Sequence, residues 1–229
     1  MKWISDLIDL ILPRYCTVCG GILSPGEQDI CLNCLYQLPR VDSTQMQEIE
    51  KLFWGIIPVE RAASYIYYRK GSPYNKLLHK IKYKNQPEIA TRLAIAAARE
   101  LQESGFFDDI DIIVPLPLSK KKERKRGYNQ CDYIAEGLSR VSGIPVRKGY
   151  VERTKANETQ THKSKEERWS NVEGIFSVTK PWALEGQHIL LVDDVLTTGA
   201  TIASCAKSIT AWPDTRVSLF TLAYSCNRI

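Results

Sequence analysis

Ile189-Leu190-Leu191-Val192-Asp193-Asp194-Val195-Leu196-Thr197-Thr198-Gly199-Ala200-Thr201 is the stretch whose reading decides the fold. An apolar run from Ile189 to Val192 meets two adjacent acids, and a hydroxyl- and glycine-rich turn follows. Residues 202–211 then carry helical spacing, so the line reads as strand, tight turn and helix N-terminus. Such a turn presents backbone N–H groups and Thr hydroxyls at the positive end of a helix dipole, which suits a phosphate. Gly199 lets the backbone approach the anion closely. The two carboxylates suit sugar hydroxyls or Mg²⁺, both hard oxygen chemistry. Gly and Thr are ordinary turn residues in any α/β domain, but two acids straight after a buried run are harder to assign to a plain turn.

Strand-like segments at 62–68, 111–114, 146–151, 174–178 and 217–223 alternate with helix-like segments at 74–83, 88–100 and 130–140. That alternation predicts an α/β fold, a mostly parallel sheet flanked by helices on both faces. Ligands of open α/β sheets sit at the C-terminal ends of the strands. The rule gathers three loops, after Val114, after Val151 and after Val192. The first leads into residues 119–130, with six basic residues and one acid. Several cations suit a pyrophosphate. A solvated turn and a nucleic-acid contact are other uses of such a run. The second, Arg153 to Asn171, is long, basic and nearly devoid of apolar residues. It reads as a lid over an anionic substrate or as a surface insertion.

The chain has 229 residues, 44% of them hydrophobic, and a net charge of +5. That is enough for one full domain and a small extra one, and the charge only weakly favours an anionic partner. No run reaches the ~18 apolar residues of a membrane span. Residues 1–13 are interrupted by Asp6 and Asp9 and lack a small-residue cleavage site, so a short amphipathic helix is expected rather than a signal peptide, in a cytoplasmic protein. Four of seven cysteines form Cys16-x-x-Cys19 and Cys31-x-x-Cys34. Two such knuckles fit a tetrahedral thiolate site, structural zinc, with local disulfides or a redox pair as weaker alternatives. With all four positions filled by protein, such a zinc keeps no site for a catalytic water. Cys131, Cys205 and Cys226 read as plain buried residues. The expected organisation is a leading helix and zinc-ribbon-like module over 1–40, a linker over 41–55 whose residues 41–51 could be a short polar helix, and the α/β domain over 56–229.

Residues 192–201 resemble the phosphoribosyl pyrophosphate (PRPP) signature of type I phosphoribosyltransferases. The resemblance implies that Asp193 and Asp194 take the ribose hydroxyls and that Thr197, Thr198, Gly199, Ala200 and Thr201 cradle the 5′-phosphate. Four features occur in order: the two Cys pairs, Pro-Leu-Pro-Leu (115–118) followed by Arg-Gly-Tyr-Asn-Gln (126–130), Arg-Thr-Lys (153–155) with Gln160, Arg168 and Asn171, and the signature itself. Over nearly the whole chain this series is similar to the ComF/GntX-like family, and His79-Lys80-Ile81-Lys82-Tyr83 is placed like a basic segment of it. The resemblance implies a type I phosphoribosyltransferase-like domain and a nitrogen nucleophile displacing pyrophosphate from PRPP with Mg²⁺. Ser119 and Lys120 would face the pyrophosphate, and Arg153, Lys155 and Arg168 would close from the lid. Asp193, Asp194, Lys155 and Arg168 are the expected catalytic set. It equally implies a non-enzymatic role in DNA uptake, binding PRPP, single-stranded DNA or the uptake machinery.

Overall fold

The decisive stretch forms β5, His188–Leu196, which lies inside a parallel sheet of order β1-β6-β5-β2. The other strands are β1 (Ala62–Tyr67), β2 (Ile112–Pro115) and β6 (Arg216–Tyr224). The computed structural model describes residues 13–154 and 174–225. The expected leading helix, the greater part of the expected lid (with Lys155 and Arg168) and Cys226 lie outside the described residues. Among those described, no helix is long and apolar enough to cross a membrane.

The continuous apolar run of β5 is explained by burial on both faces. Leu190 and Val192 join a core layer with Ile113, Phe220 and Leu222. Ile189 and Leu191 join the opposite layer with Ile112, Val114, Val217 and Leu219. The first layer is covered by α3 (Asn75–Tyr83), α4 (Glu88–Glu103) and α6 (Gln130–Ser142), through Leu77, Ile81, Leu93, Ile134 and Leu138. The second is covered by α7 (Ala200–Thr210) and by Ile49 of α2 (Ser43–Lys51) with Phe53 after it. The polar segment at 41–51 is thus largely helical, opened by a capping box between Asp42 and Gln45.

Three expectations are corrected. The strand does not stop before the acids: Asp193 stays in register with Thr221, and pairing runs on to Leu196 opposite Tyr224. Residues 146–151 do not form a strand of the main sheet. Val146 makes an isolated bridge to Ile113, and β3 (Val151–Arg153) pairs antiparallel with β4 (Phe176–Val178) in a separate two-stranded sheet. The basic run, expected as a loop, contains a short helix, α5 (Lys120–Arg126).

Helices α4 and α6 cross closely. A Cβ on Gly137 would lie 2.5 Å from the Thr91 carbonyl oxygen and 2.7 Å from the Ala94 Cβ. The cysteine segment, with α1 (Leu32–Tyr36), shares the first core layer through Val18, Leu23 and Leu38. It is also tied to α3 by polar bonds. Lys76 Nζ donates to the Val18 carbonyl (3.3 Å), Lys80 Nζ to Thr17 Oγ1 (3.0 Å), and the Tyr74 hydroxyl, just before α3, to the Cys34 carbonyl (3.0 Å).

Candidate functional site

Neighbouring residues of a strand point to opposite faces, so Asp193 and Asp194 are not twins. Asp194 follows the Leu190–Val192 face toward α3 and α6. Its Oδ2 is 3.0 Å from Lys82 Nζ and accepts a hydrogen bond from Gln130 Nε2 at 2.5 Å. Asp193 follows the Ile189–Leu191 face. Its Oδ1 accepts from the Asp194 backbone N–H (2.7 Å) and from the Cys131 thiol (3.5 Å). Burial, and then the neighbouring Asp194 charge, push the Asp193 carboxyl up to about 7. Burial alone would lower Lys82, but Asp194 outweighs it and holds the ammonium above its ordinary value.

Each residue of Arg126-Gly127-Tyr128-Asn129-Gln130 has a structural task. Gly127 closes α5 at φ +83°, a left-handed turn that suits glycine. Asn129 caps α6 through its side-chain oxygen, and its amide donates to the Leu116 carbonyl at 3.0 Å, fastening α6 to the end of β2. The Tyr128 hydroxyl donates to the Ile81 carbonyl of α3. Arg126 donates to Gln130 Oε1 (2.7 Å), and its guanidinium lies 5.4 Å from the Tyr83 ring centre. Gln130 is therefore held at both ends, with its NH₂ aimed at Asp194.

Of the basic helix, Lys122 and Arg126 are half-buried, whereas Lys120 is exposed. Lys120 lines a 240 Å³ cavity with Pro117, Asn129 and Arg153. Ser119 is buried and its hydroxyl oxygen caps α5 by accepting the Lys122 N–H at 3.4 Å. Burial, and then Arg153, Arg126 and Lys82, lower the Lys122 ammonium. Arg153 is lowered by burial, with Asp193 opposing the shift. Its guanidinium lies 5.4 Å from the Phe176 ring centre, and its Nε is buried without a hydrogen-bond partner among the described residues.

The turn after β5 completes the site. Gly199 stands at φ +79° at the N-terminus of α7. A Cβ there would meet the Phe53 ring at 3.0 Å, so the left-handed conformation favours glycine and any larger residue would also have to displace Phe53 slightly. Thr198 Oγ1 accepts from the Ala200 N–H at 3.5 Å, Thr197 is exposed, and Thr201 is half-buried. The structure thus brings Asp193, Asp194, Arg153 and the basic helix around the end of β5. Gln130 and Lys82 fall within segments that carry the family resemblance and Cys131 reads as a plain buried residue, but the sequence gives none of them, nor Phe53, a role at this site. One signal was available for Lys82: it falls one turn after buried Leu78, beside the apolar stripe of α3.

The ligand atoms of Cys16, Cys19, Cys31 and Cys34 all lie within 4.8 Å of one another, and this group could hold a metal ion. Cys19 Sγ and Cys31 Sγ are 3.9 Å apart, close to the ~3.8 Å edge of a tetrahedron with ~2.3 Å Zn–S bonds. Backbone N–H groups of Cys31 and Gly21 point at the Cys16 and Cys19 sulfurs, both at 3.4 Å.

Fold and site define a parallel α/β protein with a cation-rich pocket at one strand end, joined to a four-cysteine knuckle. No protein-family model matches the chain. It is 30% identical to competence protein F of Haemophilus influenzae, covering 84% of this chain and 77% of that one. It is 28% identical to the DNA utilization protein YhgH of Escherichia coli K12, over 86% and 91% of the two chains. Among solved structures, adenine phosphoribosyltransferase of Saccharomyces cerevisiae matches at 16% identity and a TM-score of 0.40, over 80% of this chain and 89% of that one. The chain belongs to the ComF-like family.

Proposed function

We propose that the chain binds PRPP with Mg²⁺ at the end of β5, in a phosphoribosyltransferase-like site. One observation carries the reading. Two acids with different environments, a left-handed glycine turn at a helix N-terminus and four cations (Lys82, Lys122, Arg126 and Arg153) converge at one strand end. The Gly199 turn and the start of α7 take the 5′-phosphate. Asp193 and Asp194 take the ribose hydroxyls, and the cations take the pyrophosphate. The orphaned Arg153 Nε is a donor suited to such an anion. The carboxylates also fit a hard cation, and Mg²⁺ held near them would neutralise the developing charge on a departing pyrophosphate. The protein's share of any transfer is to orient the ribose and stabilise charge. Ser119 supports this by capping the basic helix, and Lys120 contributes from the adjoining cavity. Lys155 and Arg168, which lie outside the described residues, are proposed to have the roles that the family resemblance implies for them. Zinc is the proposed occupant of the cysteine cluster, and the cytoplasm the proposed location.

A thermal-shift titration with PRPP and Mg²⁺ tests this. The melting temperature should rise with ligand, and the rise should vanish in the Asp193→Ala/Asp194→Ala double variant. No rise, or an unchanged one in the variant, would reject the PRPP site. Release of pyrophosphate across a panel of nucleobases then separates an enzyme from a binder. A second reading, a non-enzymatic role in DNA handling, is favoured by the names of the relatives and by the basic helix α5. Binding to single-stranded DNA that weakens steeply with salt would support it.

A further inference from the structure

We propose that the outer face of α3 carries a second ligand site, apart from the end of β5, that takes a free nucleoside polyphosphate. Lys76, Lys80 and Lys84 hold its phosphates, and the base lies against His79 and Tyr83. This second site is independent of the PRPP reading above. Of the basic segment 79–83, Lys82 meets Asp194, whereas His79 and Lys80 line a separate groove.

That groove, between α3 and the cysteine segment, has a volume of 650 Å³ and is lined by Thr17, Lys76, His79, Lys80, Lys84 and Gln86. Its size suits a nucleotide-sized ligand. No aspartate or glutamate is among the described residues that line it. Lys80 and Lys84 stand two residues on either side of Lys82, a little over half a helical turn, so the groove faces away from Asp194.

Lys76, Lys80 and Lys84 recur at intervals of four, on one stripe of the helix and about 6 Å apart along its axis. Lys76 Nζ donates to the Val18 carbonyl (3.3 Å) and Lys80 Nζ to Thr17 Oγ1 (3.0 Å). Both acceptors are neutral, so the ammonium charges stay uncompensated, and each keeps further N–H donors. Like charges one turn apart cost a helix stability. A bound polyanion relieves that cost, and the concave wall focuses the field on it.

Two rings edge the row. His79 and Tyr83 are exposed, with ring centres 5.3 Å apart and planes at 47°. Such an open pair offers a base a surface to stack on. Gln86 Oε1 is buried without a hydrogen-bond partner among the described residues, an acceptor suited to an exocyclic amino group. An acidic peptide would satisfy the lysines but leave the rings and this acceptor idle. A strand would need cations continuing past Lys84, where Asn85, Gln86, Pro87 and Glu88 follow. Three ammonium groups within about 12 Å of one helix match the linked phosphates of a single molecule.

The test is calorimetric titration of the full chain with ATP, inorganic tripolyphosphate and oligothymidylate. ATP should bind wild type and lose roughly tenfold in affinity in His79→Ala/Lys84→Ala, which changes two exposed residues. Lys76→Arg/Lys80→Arg keeps both charges and should stay within about threefold of wild type, which separates lost charge from a disturbed fold. Tripolyphosphate, lacking a base, should bind about tenfold more weakly than ATP. No binding of ATP, or an unchanged affinity in His79→Ala/Lys84→Ala, would overturn the proposal. Tripolyphosphate binding as tightly as ATP would reduce the groove to a bare anion patch and overturn it too. So would oligothymidylate binding tighter than ATP and released by the same variant, which would assign the groove to a strand. Full displacement of ATP by Mg²⁺-PRPP would place the nucleotide at β5 instead. Failure of PRPP itself to bind would remove the earlier reading and leave this test standing.

Discussion

At the scale of single residues, the two adjacent acids do different work because a strand sends them to opposite faces. Asp194 is paired with a buried ammonium, whereas Asp193 has a thiol and a backbone N–H for company. The folded chain therefore keeps the Asp193 proton up to about 7, against an ordinary 3.8. Between those values the folded state binds more protons than the unfolded state, so this group's contribution to stability is fullest below pH 4. It is lost as pH rises through about 7. Urea titrations in Mg²⁺-free buffer should thus show wild type losing more stability between pH 5 and pH 8 than Asp193→Asn. Equal slopes would contradict the assignment. The acids and the turn were legible because their residue types are chemically narrow. Their division of labour was not, since the sequence alone does not show that the strand continues to Leu196.

At the scale of elements, periodicity located the flanking helices well: the 88–100 and 130–140 segments are α4 and α6 with longer C-terminal ends. Their contact was not legible, because Gly137 looks like a weak point in a helix and not like a packing site. It is a packing site: the neighbouring helix comes within 2.5 Å of where a Cβ would sit. Gly137→Ala should destabilise the fold by about 1–3 kcal/mol by forcing the helices apart, although alanine favours an isolated helix by about 1 kcal/mol. A denaturant midpoint that stays put or rises would show that the crossing relaxes freely. The charge of the basic run hides the punctuation of a short helix, Ser119 before it and Gly127 after it. The strand pattern at 146–151 likewise does not reveal which sheet it joins: only Val151 enters a strand, and that strand pairs with β4 outside the main sheet.

At the scale of the whole molecule, the cysteine spacing announced a metal knuckle, but nothing in it predicted what the knuckle would touch. It rests on α3, through Lys76, Lys80 and the adjoining Tyr74. Removing the proposed zinc with a chelator, or substituting Cys19→Ser, should lower the melting temperature of the whole chain and not only loosen its N-terminal part. Unchanged melting would mean that the knuckle is an appendage. The same helix carries Lys82 to Asp194. α3 is thus fastened to the cysteine group on one side and to Asp194 on the other, so the zinc and the sugar phosphate proposed above would be linked through it if both bind. Whatever factor the metal adds to sugar-phosphate affinity, the sugar phosphate must return to metal affinity. Were that factor greater than one, loss of the metal would weaken the hold on the sugar phosphate, with α3 as the element that joins the two places.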